Sequence, residues 1–130
     1  MTVELSLSIS QMASLVRSAE VHGERAILTA FLSKYLSPDA DESRYEWLYC
    51  KNPEGVARVW VACEPITDKI IGVSAAFPRR IHRDREAVQG YVLGDFCIHP
   101  DYRYLGPALA LQRRTLEDLS GKAPDLSNSE

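Results

Sequence analysis

The sequence predicts a mixed α+β domain: two N-terminal helices, an antiparallel three-strand meander and a final helix. Three observations support this prediction. Apolar residues recur at helical spacing between residues 21 and 36. Three β-rich runs follow at 58–63, 70–77 and 87–98, and their connections are too short for parallel crossovers. A second amphipathic helical run occupies residues 107–119.

The N-terminal part is expected to begin with a strand over Val3–Ile9, where apolar and polar residues alternate. The helix over 21–36 ends at Ser37 and Pro38. A short second helix is expected after Asp41, and the turn-forming residues 52–55 close it. Helices therefore precede the meander in the chain.

The C-terminal part contains a basic segment and then the last helix. Residues 78–85 are expected to form a basic loop between the second and third strands of the meander. The final helix is expected to run from Gly106 or Pro107 to Leu119, because proline suits the first helical turn. We expect residues 1–120 to form one domain and residues 121–130 a flexible polar tail.

Composition narrows the range of partners. The 130 residues carry 15 basic and 18 acidic side chains, a net charge of -3, which favours neither nucleic acid nor an anionic membrane surface. No apolar run approaches the roughly 20 residues that cross a bilayer, and residues 1–10 lack the pattern of a signal peptide. The three cysteines form no CxxC pair, and no zinc spacing is present. We therefore expect a cytoplasmic protein with reduced thiols and without a metal, nucleic-acid or membrane partner.

Residues 94–108 contain the most informative motif. An apolar strand ends at Pro100, a glycine-bearing basic turn follows, and a helix begins at once. A helix N-terminus in that place presents unpaired backbone N–H groups and the positive end of the helix dipole. The motif therefore predicts a site for a pyrophosphate-bearing cofactor.

The residues Arg103-x-x-Gly106-x-Ala108 resemble the acetyl-CoA loop of the Gcn5-related N-acetyltransferase (GNAT) superfamily, Arg/Gln-x-x-Gly-x-Gly/Ala. The strand before this loop and the helix after it also resemble the family, and the similarity extends loosely over residues 20–120. The resemblance implies a partial GNAT fold with acetyl-CoA as co-substrate. It also implies direct transfer of an acetyl group to an amine, on a small molecule or on a protein.

By this resemblance, backbone near the strand end would pair with the pantetheine arm and amides after it would hold the pyrophosphate. The implied cofactor-binding residues are Cys97, Ile98, Arg103, Tyr104, Leu105, Gly106, Ala108 and Leu109. Pro107 departs from the pattern because it removes one donor. The family also continues after this helix with a strand that completes the thioester slot. We therefore expect either a cofactor-binding fragment or a sheet completed by another chain, and activity of this chain alone is left open.

Two residues of the third predicted strand are candidates for catalysis. Asp95 could serve as the base for the attacking amine, although a carboxylate that pairs with an arginine or caps a turn is the alternative. Tyr91 shares the face of Asp95 by period two and could bind the acceptor, or it could be a packed aromatic. Cys97 is expected to be a buried thiol, and His99 a solvated turn residue.

Three further features keep two interpretations each. The basic residues of the 79–85 segment, four arginines and His82, could steer an anionic acceptor or contact the CoA 3′-phosphate, or could keep a hairpin tip soluble. Tyr45, Trp47 and Tyr49 could line an acceptor cleft, or two of them could pack in the core. Finally, the chain could be a non-catalytic half-domain that dimerises or binds a partner through the uncovered edge of its last strand.

Overall fold

The computed structural model, described over residues 15–103 and 105–121, consists of an antiparallel sheet with helices on both faces. The described strands are β1 Val16–Ala19, β2 Arg58–Cys63, β3 Ile70–Arg83 and β4 Glu86–Ile98, which lie in the order of the chain. The described helices are α1 Arg25–Tyr35, α2 Glu42–Tyr45 and α3 Leu105–Leu119. A π-helical turn, Glu46–Cys50, continues α2, and a 3-10 turn, Pro100–Tyr102, precedes α3. This architecture confirms the predicted α+β class and the antiparallel meander.

The element boundaries differ from the prediction at several points. β1 was not predicted, and the strand expected over Val3–Ile9 lies outside the described residues. The tail expected over 121–130 also lies outside them, except for Gly121. β3 continues to Arg83, so most of the expected basic loop is strand. Its partner β4 continues alongside it, which supplies backbone hydrogen bonds to residues whose side chains are exposed.

The connection between β3 and β4 is a tight turn at Asp84 and Arg85, with φ angles of 50° and 70°. Positive φ at both central residues matches the right-handed twist of a hairpin. The register of β2 on β3 ends at the pair Arg58 and Ala76. Beyond that pair, residues 77–83 and 86–92 are paired with each other only, and we call this two-stranded extension the ribbon.

The core has one layer on each face of the sheet. On one face α1 and α2 cover the sheet, and the stacked rings of Tyr45 and Tyr49 lie 4.4 Å apart in this layer. On the other face α3 packs through Leu111, and the Trp60 indole donates a hydrogen bond of 2.7 Å to the carboxylate of Asp118. Trp47 is exposed, so two of the three aromatic residues pack in the core, as the second interpretation predicted.

A membrane-spanning helix is not found among residues 15–103 and 105–121, where every helix falls short of the length and apolar character required.

We predict that Leu111→Ala lowers the free energy of unfolding by about 2–5 kcal/mol, because it leaves a cavity between α3 and the sheet. Leu111 is 0% exposed, whereas Leu116 on the same helix is 55% exposed. Leu116→Ala, the matched control, should change stability by less than about 0.5 kcal/mol. Urea unfolding followed by circular dichroism measures both. Equal losses in the two variants would contradict the packing of α3 on the sheet.

Candidate functional site

A β-bulge interrupts β4 shortly before its end. The pairing passes from Ala75 opposite Gly94 to Val73 opposite Cys97, so β4 has one more residue than β3 across this interval. Asp95 lies in the bulge with φ of 53°, a left-handed conformation that aspartate tolerates better than most residues. The extra residue of a bulge is left without a ladder partner. This part of β4 therefore presents backbone that the sheet does not use.

The side chain of Asp95 is held by two residues of the α2 segment. Arg44 donates from both terminal nitrogens, at 2.9 Å each, to the two carboxylate oxygens. The hydroxyl of Tyr49 donates at 2.7 Å to Oδ2. The structure thus shows the alternative interpretation of Asp95, a carboxylate that pairs with an arginine. A role of Asp95 as a base remains a prediction.

Tyr91 does not share the face of Asp95, which corrects the expectation from period two. Tyr91 is paired with Pro78, and the Arg58 guanidinium lies 6.0 Å from its ring, on the face that α3 covers. The carboxylate of Asp95 contacts Arg44 and Tyr49, on the face that α1 and α2 cover. The extra residue of the bulge breaks the alternation between them, so the structure does not bring Tyr91 and Asp95 together.

A groove of about 330 Å³ lies beside the end of β4, and we call it the terminal groove. Its lining includes three of the expected cofactor-binding residues, Cys97, Ile98 and Arg103. The remaining lining residues are Tyr35, Leu36 and Phe96. The Arg103 Nε donates at 3.0 Å to the backbone oxygen of Ile98, which fixes the arginine against the strand end.

Helix α3 begins at Leu105, slightly before the predicted start. Gly106, Ala108 and Leu109 lie in its first turns and are half-buried, whereas Pro107 is fully buried. Tyr104 lies outside the described residues. α3 has fifteen residues and begins shortly after the 3-10 turn that follows β4, so its N-terminus carries first-turn amides without a helical partner and the positive end of the helix dipole.

A second groove, of about 340 Å³, lies between the bulge and α3, and we call it the α3 groove. Its lining residues are Ser74, Leu93, Gly94, Asp95, Phe96, Gln112, Thr115 and Leu116. Phe96 lines both grooves, so the bulge lies between them, on the edge of β4 that pairs with no other strand of the described residues. Each groove falls in the volume range typical of small-molecule sites.

Burial, and secondarily the nearby Asp95 carboxylate, raises the pKa of the Cys97 thiol to about 12. Cys97 is thus a neutral, buried thiol rather than a nucleophile, as expected. His99 differs from its expectation because it is half-buried, with its ring 4.8 Å from that of Tyr35 and 5.5 Å from that of Tyr102. Its Nδ1 accepts a hydrogen bond from the Asp101 amide, so it shapes the turn.

The basic residues of the ribbon lie far from the N-terminus of α3. Arg79 is opposite Gly90, eight residues before Ile98, so about 26 Å of strand separates them. This separation argues against contact between these arginines and a phosphate held at α3. Within residues 15–103 and 105–121, no three potential ligands are grouped as a metal site.

Sequence reasoning missed Arg44 and Phe96. The position of Arg44 next to Asp95 depends on the contact between α2 and β4, which no local pattern reveals. The sequence does hold one signal for Phe96, since Gly94 before it is a residue type that often marks a bulge and Asp95 is one that tolerates a left-handed conformation.

Comparison with known proteins gives fold relatives only. No protein-family model matches the sequence, and no curated protein does. Among solved structures, a conserved protein of unknown function from Enterococcus faecalis V583 matches with 14% identity and a TM-score of 0.66. The match covers 82% of this chain but only 26% of that protein. Glucosamine-6-phosphate N-acetyltransferase from Arabidopsis thaliana matches with 12% identity and a TM-score of 0.55, over 82% of this chain and 74% of that one. An acetyltransferase from Vibrio fischeri matches with 20% identity and a TM-score of 0.53, over 85% of this chain and 89% of that one. These likenesses confirm the predicted fold.

We predict that Cys97 makes stability fall as pH rises above about 9, its ordinary pKa, towards about 12, its pKa in the folded state. Below pH 9 the thiol is protonated in both the folded and the unfolded state, so it does not change the free energy of unfolding with pH. Above it the unfolded chain loses the proton first, so unfolding becomes easier by up to about 1.4 kcal/mol per pH unit.

The measurement is urea unfolding at pH 8 and pH 10.5 for the native protein and for Cys97→Ala. Burial also raises the pKa of Tyr45 and Tyr49, and these groups contribute equally to both proteins. The variant should therefore lose less stability between the two pH values. An identical loss would show that the Cys97 thiol is not buried.

Proposed function

We propose that this chain, which has the fold of the GNAT acetyltransferases, is the cofactor-binding part of an acyl-CoA-dependent N-acyltransferase. The observation that supports this most is the succession of three features: a bulge in β4, which is an edge strand among the described strands, the terminal groove at its end, and the N-terminus of α3 after it. The bulge offers backbone groups for hydrogen bonding, the terminal groove offers apolar walls, and the helix N-terminus offers a site for an anion. That order suits a thioester, a pantetheine arm and a pyrophosphate.

The first turn of α3 is the proposed site for the pyrophosphate. Gly106 allows close approach of a ligand to the backbone, and Arg103 adds a positive charge beside the helix end. Pro107 contributes no donor, so the amides of Leu105, Gly106 and Ala108 would carry the contact. The side chain of Arg103 is anchored to Ile98 and exposed, which leaves its remaining guanidinium nitrogens facing outward.

The strand end is the proposed site for the pantetheine arm. Backbone groups of Cys97 and Ile98 would pair with the arm as a neighbouring strand would. The Ile98 oxygen already accepts from Arg103, but a carbonyl oxygen has a second lone pair for another donor. Phe96, Tyr35 and Leu36 give this groove apolar walls suited to the uncharged part of the cofactor.

The proposed chemistry is direct transfer. The thioester supplies an activated acyl carbon, the amine nitrogen bonds to it, and the bond from carbon to sulfur breaks. The amine loses a proton to a base or to water, and the thiolate gains one as CoA leaves. The unpaired backbone of the bulge would polarise the carbonyl oxygen. The neutral, buried thiol of Cys97 argues against a covalent acyl-enzyme, so direct attack is favoured.

We predict that Gly106→Glu abolishes binding of acetyl-CoA, because the side chain fills the close approach and places a negative charge beside the pyrophosphate. The fold should persist, since an acidic residue in the first helical turn stabilises a helix. Ser120→Glu, which adds the same charge beyond the other end of α3, is the control and should bind normally. Calorimetric titration with acetyl-CoA, with dephospho-CoA for comparison, measures the effect. Normal binding by the Gly106 variant would rule out this loop as the pyrophosphate site.

A second candidate function is a half-domain that self-associates through the edge of β4. The observation that favours it is the exposure of Val88, Tyr91, Val92, Leu93 and Phe96 on a strand whose outer side pairs with no other strand of residues 15–103 and 105–121. Residues 87–94 carry no charge, and Arg44 neutralises Asp95, so a second copy would meet no like charge there. Such an edge readily pairs with another strand, and an isolated ribbon is only marginally stable.

We predict for this candidate that Val92→Lys abolishes a concentration-dependent dimer, because a lysine on an edge strand opposes pairing. Val56→Lys is the matched control, since Val56 is 43% exposed and Val92 is 41% exposed. Sedimentation velocity from about 1 to 100 μM measures the association. A monomer throughout this range in the native protein would exclude this function.

A further inference from the structure

Asp95, Arg44 and Tyr49 form a polar cluster that connects the bulge of β4 to α2, and we call it the Asp95 cluster. The Asp95 side chain is 10% exposed and the Arg44 side chain 28%, so the pair is largely removed from water. Its three hydrogen bonds, of 2.9, 2.9 and 2.7 Å, occupy both oxygens of Asp95. A bidentate arginine–carboxylate pair fixes orientation as well as distance.

The conformation of Asp95 needs such an anchor. A left-handed backbone is unfavourable for a residue with a side chain, and it persists when its surroundings determine it. The contacts that determine it here come through the side chain, from a helix that is distant in sequence. The cluster therefore couples the shape of the bulge to the position of α2.

Both partners of Asp95 are themselves fixed. The Arg44 amide donates at 2.9 Å to the Asp41 side chain, which caps α2. Tyr49 is fully buried, stacks on Tyr45, and contacts Phe77 edge-on with ring centres 5.1 Å apart. Burial, and then the Asp95 carboxylate, raises the pKa of Tyr49, so its hydroxyl stays protonated and donates. The Asp95 cluster thus extends the rigid core to the edge of the sheet.

We propose that Arg44 and Tyr49 are positioning residues that hold the β4 bulge, through Asp95, in the form that receives the thioester carbonyl. This inference rests on the proposed function and deepens it by assigning α2 a role at the acyl group. Asp95 is then also a positioning residue. Its carboxylate is committed to two donors and is not the base for the amine.

The first experiment needs no ligand. Amide hydrogen exchange at residues 94–97 is measured by NMR in the native protein, Arg44→Gln and Tyr49→Phe. We expect exchange about tenfold faster or more in both variants, because the bulge loses an anchor. Arg25→Gln is the matched control: it removes an arginine–carboxylate bridge to Glu46 and leaves in place the hydrogen bonds that Arg44 and Tyr49 donate to Asp95. Exchange at 94–97 that stays within about twofold of native in the first two variants would overturn the proposal.

The second experiment tests whether the bulge recognises the thioester carbonyl. Affinities for acetyl-CoA and CoA are compared by calorimetry, because only acetyl-CoA has the carbonyl that the bulge would receive. Arg44→Gln should weaken acetyl-CoA binding by about three- to tenfold and leave CoA binding unchanged, while Arg25→Gln should change neither. Equal weakening of both ligands would overturn the positioning role.

Asp95→Asn separates a positioning residue from a base. Asparagine keeps the size and tolerates the left-handed conformation, but it loses the charge that Arg44 pairs with. A positioning role predicts the same selective loss of acetyl-CoA affinity as Arg44→Gln, whereas a base predicts unchanged affinities. A native protein that binds neither ligand would overturn the proposed function, and the exchange experiment would still decide whether the Asp95 cluster holds the bulge.

Discussion

The burial of β3 on both faces is the constraint on which the rest of the structure depends. Its residues from Ile70 to Pro78 are all buried, so the strand must have a cover on each side and a strand on each edge. The helices α1 and α2 supply one cover and α3 the other, while β2 and β4 supply the edges. Among the described strands, β4 therefore pairs with β3 on one side and with no strand on the other. The bulge lies on this edge strand, and Phe96 in the bulge lines both grooves.

The meander was predictable because its strands are rich in β-branched and apolar residues and are joined by short connections. β1 was not predictable, because only Val16 of its four residues is buried and four residues are too few to show an alternating pattern. The extension of β3 through Arg83 was also missed. Its exposed charged side chains resemble a loop, and only pairing with β4 makes the segment a strand.

The candidate site was predicted in part. The strand end and the helix start could be placed from the sequence, since a proline and a glycine mark the turn between them. The face of the sheet on which each β4 side chain lies could not be predicted, because alternation by two assumes an unbroken ladder of pairs. The left-handed position in the bulge is occupied by Asp95 rather than by glycine, so the sequence gives no clear sign of it. The pairing of Asp95 with Arg44 spans 51 positions and depends on tertiary packing.

Charge is distributed along the β4 edge in a way that suits a ligand with two unlike ends. At the bulge the carboxylate is neutralised by Arg44, so the local surface is polar without net charge. At the start of α3 the helix dipole and the exposed Arg103 provide a positive potential. An elongated ligand with an anionic end and an uncharged end would therefore lie along the edge in one direction only.

The turn at Asp84 and Arg85 bears on how the chain folds. It joins the longest strand pair through two residues, so this hairpin closes with the least loss of chain entropy and can form within about 1–10 μs. β1 pairs with β2 only after residues 20–57 have been ordered between them. We therefore expect folding to start at the strand pair that carries the bulge and to finish at the opposite edge. In this order of folding, β1 joins the sheet last, and β1 is the strand farthest from the candidate site.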